Sequence, residues 1–170
     1  DWEDGYGKTI PAPLAAARRV RTYQSPCDYD AAPGDNGSGA APAAGCALDG
    51  TYVLFIHGHN YTPLAKEAWS ATLFKRLWWV GYRGHFGYLR WPAGEWSGIV
   101  DTARHREVFN DGEFNGWRSG SGLFELLRAL RARYPKVVVI AHSHGAVPLA
   151  EALRIARDRG KSDLLDTVIT

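Results

Sequence analysis

Residues 136–142, KVVVIAH, run straight into SHGAVPLAEALRIA, with no turn residues between an apolar β-branched run and a helical pattern. This junction constrains the fold more than any other stretch. A continuous β-branched run suits a strand covered on both faces. Its direct passage into a helix over 144–159 leaves Ser143 on the corner. So tight a corner forces a strained backbone at the serine and pushes its side chain out at the strand's C-terminal end. It also requires small residues two positions to either side, and Ala141 and Gly145 meet that demand.

The rest of the chain alternates in the same way. TYVLFIH (51–57) is a buried-strand pattern between Gly50 and Gly58. Residues 63–81 open with proline and end at glycine, the asymmetry expected of a helix. GHFGYLRW (84–91) reads as a strand stopped by Pro92. A shorter helix is expected over 97–108, and a loop over 105–122 from its Asn, Asp and Gly content. An amphipathic helix follows over 123–134, with Leu123, Leu126, Leu127 and Leu130 along one side. DTVIT (166–170) begins another strand. Strands alternating with helices require crossover connections, so the expected fold class is α/β, a mainly parallel sheet with helices on both faces. Residues 51–170 form that core. Residues 1–50 read as an extension, with a short helix over PLAAARRVRTY and then a cysteine-bearing loop.

A chain of 170 residues supports one sizeable core. Its formal net charge of +2 is too small to argue for nucleic acid or an anionic surface as partner. No apolar run approaches the ~18 residues of a spanning helix. The chain starts at Asp1 and has no methionine, so that start reads as a processed or trimmed end. Cys27 and Cys46 share a segment too poor in apolar residues to order itself. A disulfide there would contribute roughly 3 kcal/mol by chain entropy and implies a secreted or periplasmic protein. Two free thiols in a cytoplasmic protein are the other reading.

The chemistry centres on Ser143. The amide of His144 opens a helix, where unsatisfied N–H groups and the macrodipole favour negative charge. It can bind the oxyanion of a tetrahedral intermediate. A second donor is available after the first regular strand, in HGHN, from the amide of His59 or Asn60; Gly58 lets the backbone come close. His57, Asn60, Trp91 and His142 are candidates to line the pocket. Of the tryptophans, Trp69, Trp78 and Trp79 on one helix are expected mainly in the core, and Trp91, Trp96 and Trp117 are candidates for a wall or lid. The units HGH and HSH also admit a zinc reading, against which no carboxylate lies within three residues of either.

VLFIHGHN, LRWPAG and VVVIAHSHGAVPLAEAL, in this order, resemble the α/β-hydrolase superfamily, and most of all its lipase-like serine esterases. The similarity spans roughly residues 51–170, about the first two-thirds of a minimal hydrolase core. It implies a nucleophile at Ser143, oxyanion-hole amides at His59 and His144, and hydrolysis of carboxylic esters, lipid-like ones included, through an acyl-enzyme without cofactor or metal. It also implies a chain order of serine, acid, histidine. Glu151, Asp158, Asp163 and Asp166 follow Ser143, but no histidine does. The chain therefore reads as truncated, its base beyond Thr170, or as completed by a second chain, or as a binding module that keeps the scaffold without catalysis. Upstream, His85 and His105 read as surface histidines, and His142 and His144 as pocket lining or helix contacts rather than bases.

Overall fold

Every residue of β2 (Thr51–Ile56) is buried, as a central strand requires. The computed structural model describes residues 20–23, 49–94 and 102–170, with 20–23, 63 and 102–105 described by backbone alone. With β1 (Val20–Tyr23), β3 (His85–Leu89), β4 (Lys136–Ala141) and β5 (Thr167–Ile169), β2 forms a sheet in the order β1-β3-β2-β4-β5. Four neighbouring strands, β3, β2, β4 and β5, run parallel, and β1 pairs antiparallel with β3. The fold is α/β.

Side chains alternate across the sheet as the pleat requires. Val53, Phe55, Phe86 and Tyr88 face α1 (Pro63–Trp79) and pack around Phe74. Tyr52, Leu54, Ile56, Val137 and Val139 face the other way, against Leu123 and Leu127 of α2 (Thr102–Arg133) and Leu149 and Ala152 of α3 (Ala146–Asp158). Helices thus cover both faces. The β2–α1–β3 crossover runs one way along the sheet and β4–α3–β5 the other, and right-handed crossovers then place α1 and α3 on opposite faces. The reversal falls between β2 and β4. In open α/β sheets a crevice opens at that point, beyond the carboxyl ends of the strands.

The helix ends follow their sequence signals. Thr62 caps α1 by accepting a hydrogen bond from the Ala65 amide at 3.2 Å, with Pro63 in the first turn. Gly81, at φ 96°, ends it: the Gly81 and Tyr82 amides donate back to the carbonyls of Trp78 and Leu77. Gly160 ends α3 in the same manner.

Two expectations fail. Residues 105–122 are not a loop; they belong to α2, a continuous helix of 32 residues that also takes in 102–108 of the short helix expected at 97–108 and nearly all of the one expected at 123–134, while 97–101 lie outside the described residues. Its glycines have a packing role. Gly112, Gly116 and Gly120 recur every fourth residue, so they share one face, and all three are buried. A Cβ on Gly112 would stand 2.5 Å from the Ala93 carbonyl oxygen, and one on Gly116 would stand 2.9 Å from Val147. The glycines let α2 lie close against α3 and the segment after β3. The second failure is at 20–23, expected as the end of a short helix. These residues form β1, because Val20, Thr22 and Tyr23 favour extended backbone and the free edge of β3 offers them a ladder. Cys27, Cys46 and Trp96 lie outside the described residues.

Among the described residues, no helix is long and apolar enough to cross a membrane. Asp166 fastens the start of β5: its carboxylate accepts from the Val137 amide at 2.8 Å and from Arg131 at 2.7 Å.

Alanine normally stabilises a helix over glycine by up to about 1 kcal/mol. Gly112→Ala is expected to reverse that sign and destabilise by about 1–3 kcal/mol, the cost of overpacking against backbone that cannot yield. Urea unfolding of the two proteins measures it, and a gain in stability would show that α2 does not pack as described.

Candidate functional site

The β2–β4 ladder runs in register from Thr51 opposite Lys136 to Ile56 opposite Ala141, and the His142 amide extends it to the Ile56 carbonyl at 2.9 Å. The two strands therefore end side by side, which brings the segments after them, 57–60 and 142–145, into contact at the crevice. Ser143 takes φ 52°, the left-handed region that a residue with a Cβ enters at a cost. It opens a single 3-10 turn, Ser143–Gly145, that leads directly into α3.

Glycines permit the contact. A Cβ on Gly145 would lie 2.5 Å from the Ile56 carbonyl oxygen and 2.7 Å from that of His57, so only hydrogen fits. A Cβ on Gly58 would lie 3.1 Å from the Ser143 Cβ and 3.0 Å from the His142 carbonyl oxygen. Ala141 is buried between the strand ends. Ser143 and His142 are exposed. They open onto a groove of about 330 Å³ lined by Phe55, Tyr61, Trp69, Leu73, Ile140 and Ile169, among others. It lies between α1 and the ends of β4 and β5, and its walls are mainly apolar.

The histidines divide into two groups. His142 lines the groove with Ser143. His57 is fully buried: its Nδ1–H donates to the Gly58 carbonyl at 2.9 Å, its ring stacks on Trp91, and Trp91 Nε1–H donates to the His57 carbonyl at 2.8 Å. Burial lowers its pKa to about 3, against a smaller opposing effect of the Gly58 bond. His144 is also buried, its ring parallel to Trp91 and edge-on to Phe109, and its Nε2 has no hydrogen-bond partner among the described residues. Burial first, and then the charge of nearby His59, holds its pKa below the ordinary imidazole range. The His59 Nδ1–H donates to the Ala93 carbonyl at 2.7 Å, and the Asn60 amide donates to the Gly94 carbonyl at 3.1 Å. With its amide so engaged, Asn60 is the weaker of the two candidates for a second oxyanion donor.

The structure brings together Ser143, His142, Gly58 and the backbone at His59 and His144, and it places the other candidates elsewhere. His57 and Trp91 are core residues behind the site, not pocket lining. Trp69, expected in the core, is 56 % exposed and lines the groove, while Trp79 is 70 % exposed. Trp78 packs against Phe74. Trp117 lies on α2, exposed, rather than in a loop. A signal for Trp91 was present: Leu89, Trp91 and Ala93 continue the alternation of β3 into one cluster. The groove residues Tyr61, Leu73 and Ile169 carried none, because their proximity to Ser143 arises only when α1 and β5 dock. His85 opens β3, at the opposite end of the sheet, with its ring against Tyr134. Among the described residues, no hydrogen bond joins Ser143 Oγ to a histidine, and no group of three or more His, Cys, Asp or Glu side chains could hold a metal ion.

His57 gives the site a pH signature. Its folded pKa of about 3 lies below the ordinary 6.5, so the unfolded chain binds the proton more readily. Its contribution to stability is complete above pH 6.5 and is lost as pH falls toward 3, at up to about 1.4 kcal/mol per pH unit. Protonation at Nε2 would aim an N–H at the Trp91 amide, a donor facing a donor at 3.5 Å. Urea melts at pH 7 and pH 4.5 should show this loss in the wild type and a smaller one in His57→Asn; equal losses would assign the acid sensitivity to other groups.

No family model, curated protein or solved structure matches the chain.

Proposed function

We propose that this chain carries the nucleophile corner of an α/β-hydrolase-type serine hydrolase, acting on carboxylic esters through an acyl-enzyme at Ser143. The observation that carries the reading is the left-handed Ser143, exposed at the point where the sheet's crossovers reverse and in contact with Gly58. Strain of this kind persists where the surrounding structure enforces it and clusters at active sites. In the proposed reaction Ser143 Oγ attacks the ester carbonyl carbon and loses its proton to a base. The carbonyl oxygen takes up the negative charge facing the amides of His144 and His59. Collapse expels the alcohol, and water then hydrolyses the acyl-enzyme. The apolar groove beside Ser143 suits the apolar part of an ester.

The proposed reaction needs a base to take the proton of Ser143. The absence, among the described residues, of a histidine bonded to Ser143 Oγ favours a second reading, a binding module that keeps the scaffold without turnover. The two differ in what free imidazole does. Loss of a triad base costs on the order of 10⁶ in turnover, and an oxyanion hole retains part of the acceleration.

An organophosphonate bearing a p-nitrophenyl leaving group should therefore react slowly and selectively at Ser143, as read by intact mass and peptide mapping. Added imidazole, diffusing into the groove as a surrogate base, should speed that reaction at least about tenfold, within the range of general-base catalysis. Ser143→Ala should abolish the adduct. A phosphonate that ignores Ser143 with and without imidazole would rule out the hydrolase and leave the binding module.

A further inference from the structure

Behind the segment 57–60 lies the segment Trp91–Gly94, and four polar contacts join the two. Trp91 Nε1–H donates to the His57 carbonyl at 2.8 Å, and the Trp91 amide points at His57 Nε2 at 3.5 Å. In return the His59 Nδ1–H donates to the Ala93 carbonyl at 2.7 Å and the Asn60 amide to the Gly94 carbonyl at 3.1 Å. The two segments are thus joined at both ends, across 34 residues of sequence. Asn60, at φ 60°, turns the loop there. On the far side, Trp91–Gly94 is backed by α2. A Cβ on Gly94 would meet the Val108 carbonyl oxygen at 2.7 Å, and one on Gly112 would meet that of Ala93 at 2.5 Å. On the near side, Gly58 touches Ser143. Four layers, α2, 91–94, 57–60 and Ser143, thus stand close against one another.

Resting on the serine-hydrolase reading above, we infer that the side chains of His59 and Trp91 are positioning residues: they lock the loop 57–60 so that the His59 amide is held at the Ser143 oxyanion. An amide on a loop without such ties would sample orientations, and a donor helps a developing charge only if it is already aimed. The imidazole of His59 ties the residue whose amide is at stake. The indole of Trp91 ties the carbonyl two residues before it, while its ring stays in the stack between His57 and His144. Neither side chain touches the substrate, so neither is a catalytic residue. The chemistry of Trp91 here is its single N–H, and the bulk of the ring is a separate, structural contribution.

Three substitutions in the full chain separate these roles. Trp91→Phe keeps a ring and removes the N–H. His59→Leu removes the donor to Ala93, and His59→Gln keeps an N–H within reach of it. The readout is phosphonylation of Ser143 in the presence of imidazole, resolved into the maximal rate and the half-saturating phosphonate concentration, together with the melting temperature. Trp91→Phe and His59→Leu should lower the maximal rate about 10- to 100-fold, the size of effect that misplacement by an ångström produces. The half-saturating concentration should stay unchanged, and His59→Gln should recover most of the rate. A purely structural role predicts instead that rate follows melting temperature, with Gln no better than Leu, and that result overturns the inference. So does a folded Trp91→Phe protein that reacts like the wild type, should the His59 variants fail to fold. A wild-type protein that does not react at all removes the hydrolase reading and this inference with it; loss of the positioning role alone leaves the wild-type reaction intact.

Discussion

Six register pairs between β2 and β4, and one further bond from the His142 amide to Ile56, decide where everything else must go. Parallel pairing makes both strands finish at the same level, so the segments that follow them have to share one small space. Gly145 permits this, since a Cβ there would stand 2.5 Å from the Ile56 carbonyl oxygen, and the lack of a Cβ at Gly58 eases the fit. The serine corner and the HGHN loop are thus consequences of one ladder, and a one-residue slip in it would exchange the side chains that β2 presents to its two packed faces.

The parts of the fold governed by local rules were legible. The β-branched run of β4, the cap and proline of α1, and the small residues around Ser143 act within a few positions of one another, and each leads to the observed element. What misled was glycine, which has two uses with the same spelling. In the stretch 105–122 it suggests turns, whereas Gly112, Gly116 and Gly120 are where a helix needs to be thin. The four-residue spacing was the available clue, and it gains meaning only when a partner helix is known to lie against it. β1 illustrates a tertiary override: the alanine- and arginine-rich run before it suggests helix, and the open edge of β3 claims Val20–Tyr23 for strand.

The candidate site was legible by halves. Ser143 and the glycines announce themselves, since their geometry follows from their own sequence neighbours. The roles of Trp91 and Trp69 were exchanged, because a side chain's destination beyond the end of a strand, or on a helix with apolar residues on several sides, depends on what docks there. Trp91 continues the pleat of β3 into the core, and Trp69 stands at the margin of α1 over the groove. The α1 face of the sheet shows the same dependence. Val53 and Phe55 of β2 are sealed by α1, but Ile140 of β4 is only partly buried and Ile169 of β5 is half exposed. The groove beside Ser143 occupies that less covered part.

The backbone at Ser143 has a consequence for descent. Glycine at φ 52° would relax the corner, and asparagine would tolerate it better than serine does. A lineage that no longer used the hydroxyl would therefore find its nearest gain in stability at this very position, one substitution away, with the sheet and helices unaffected. Drift would erase the serine before it erased the fold. The residue that a relative carries here is accordingly a more sensitive record of use than any amount of core similarity, and Ser143 is the position at which this fold's past and its chemistry can be told apart.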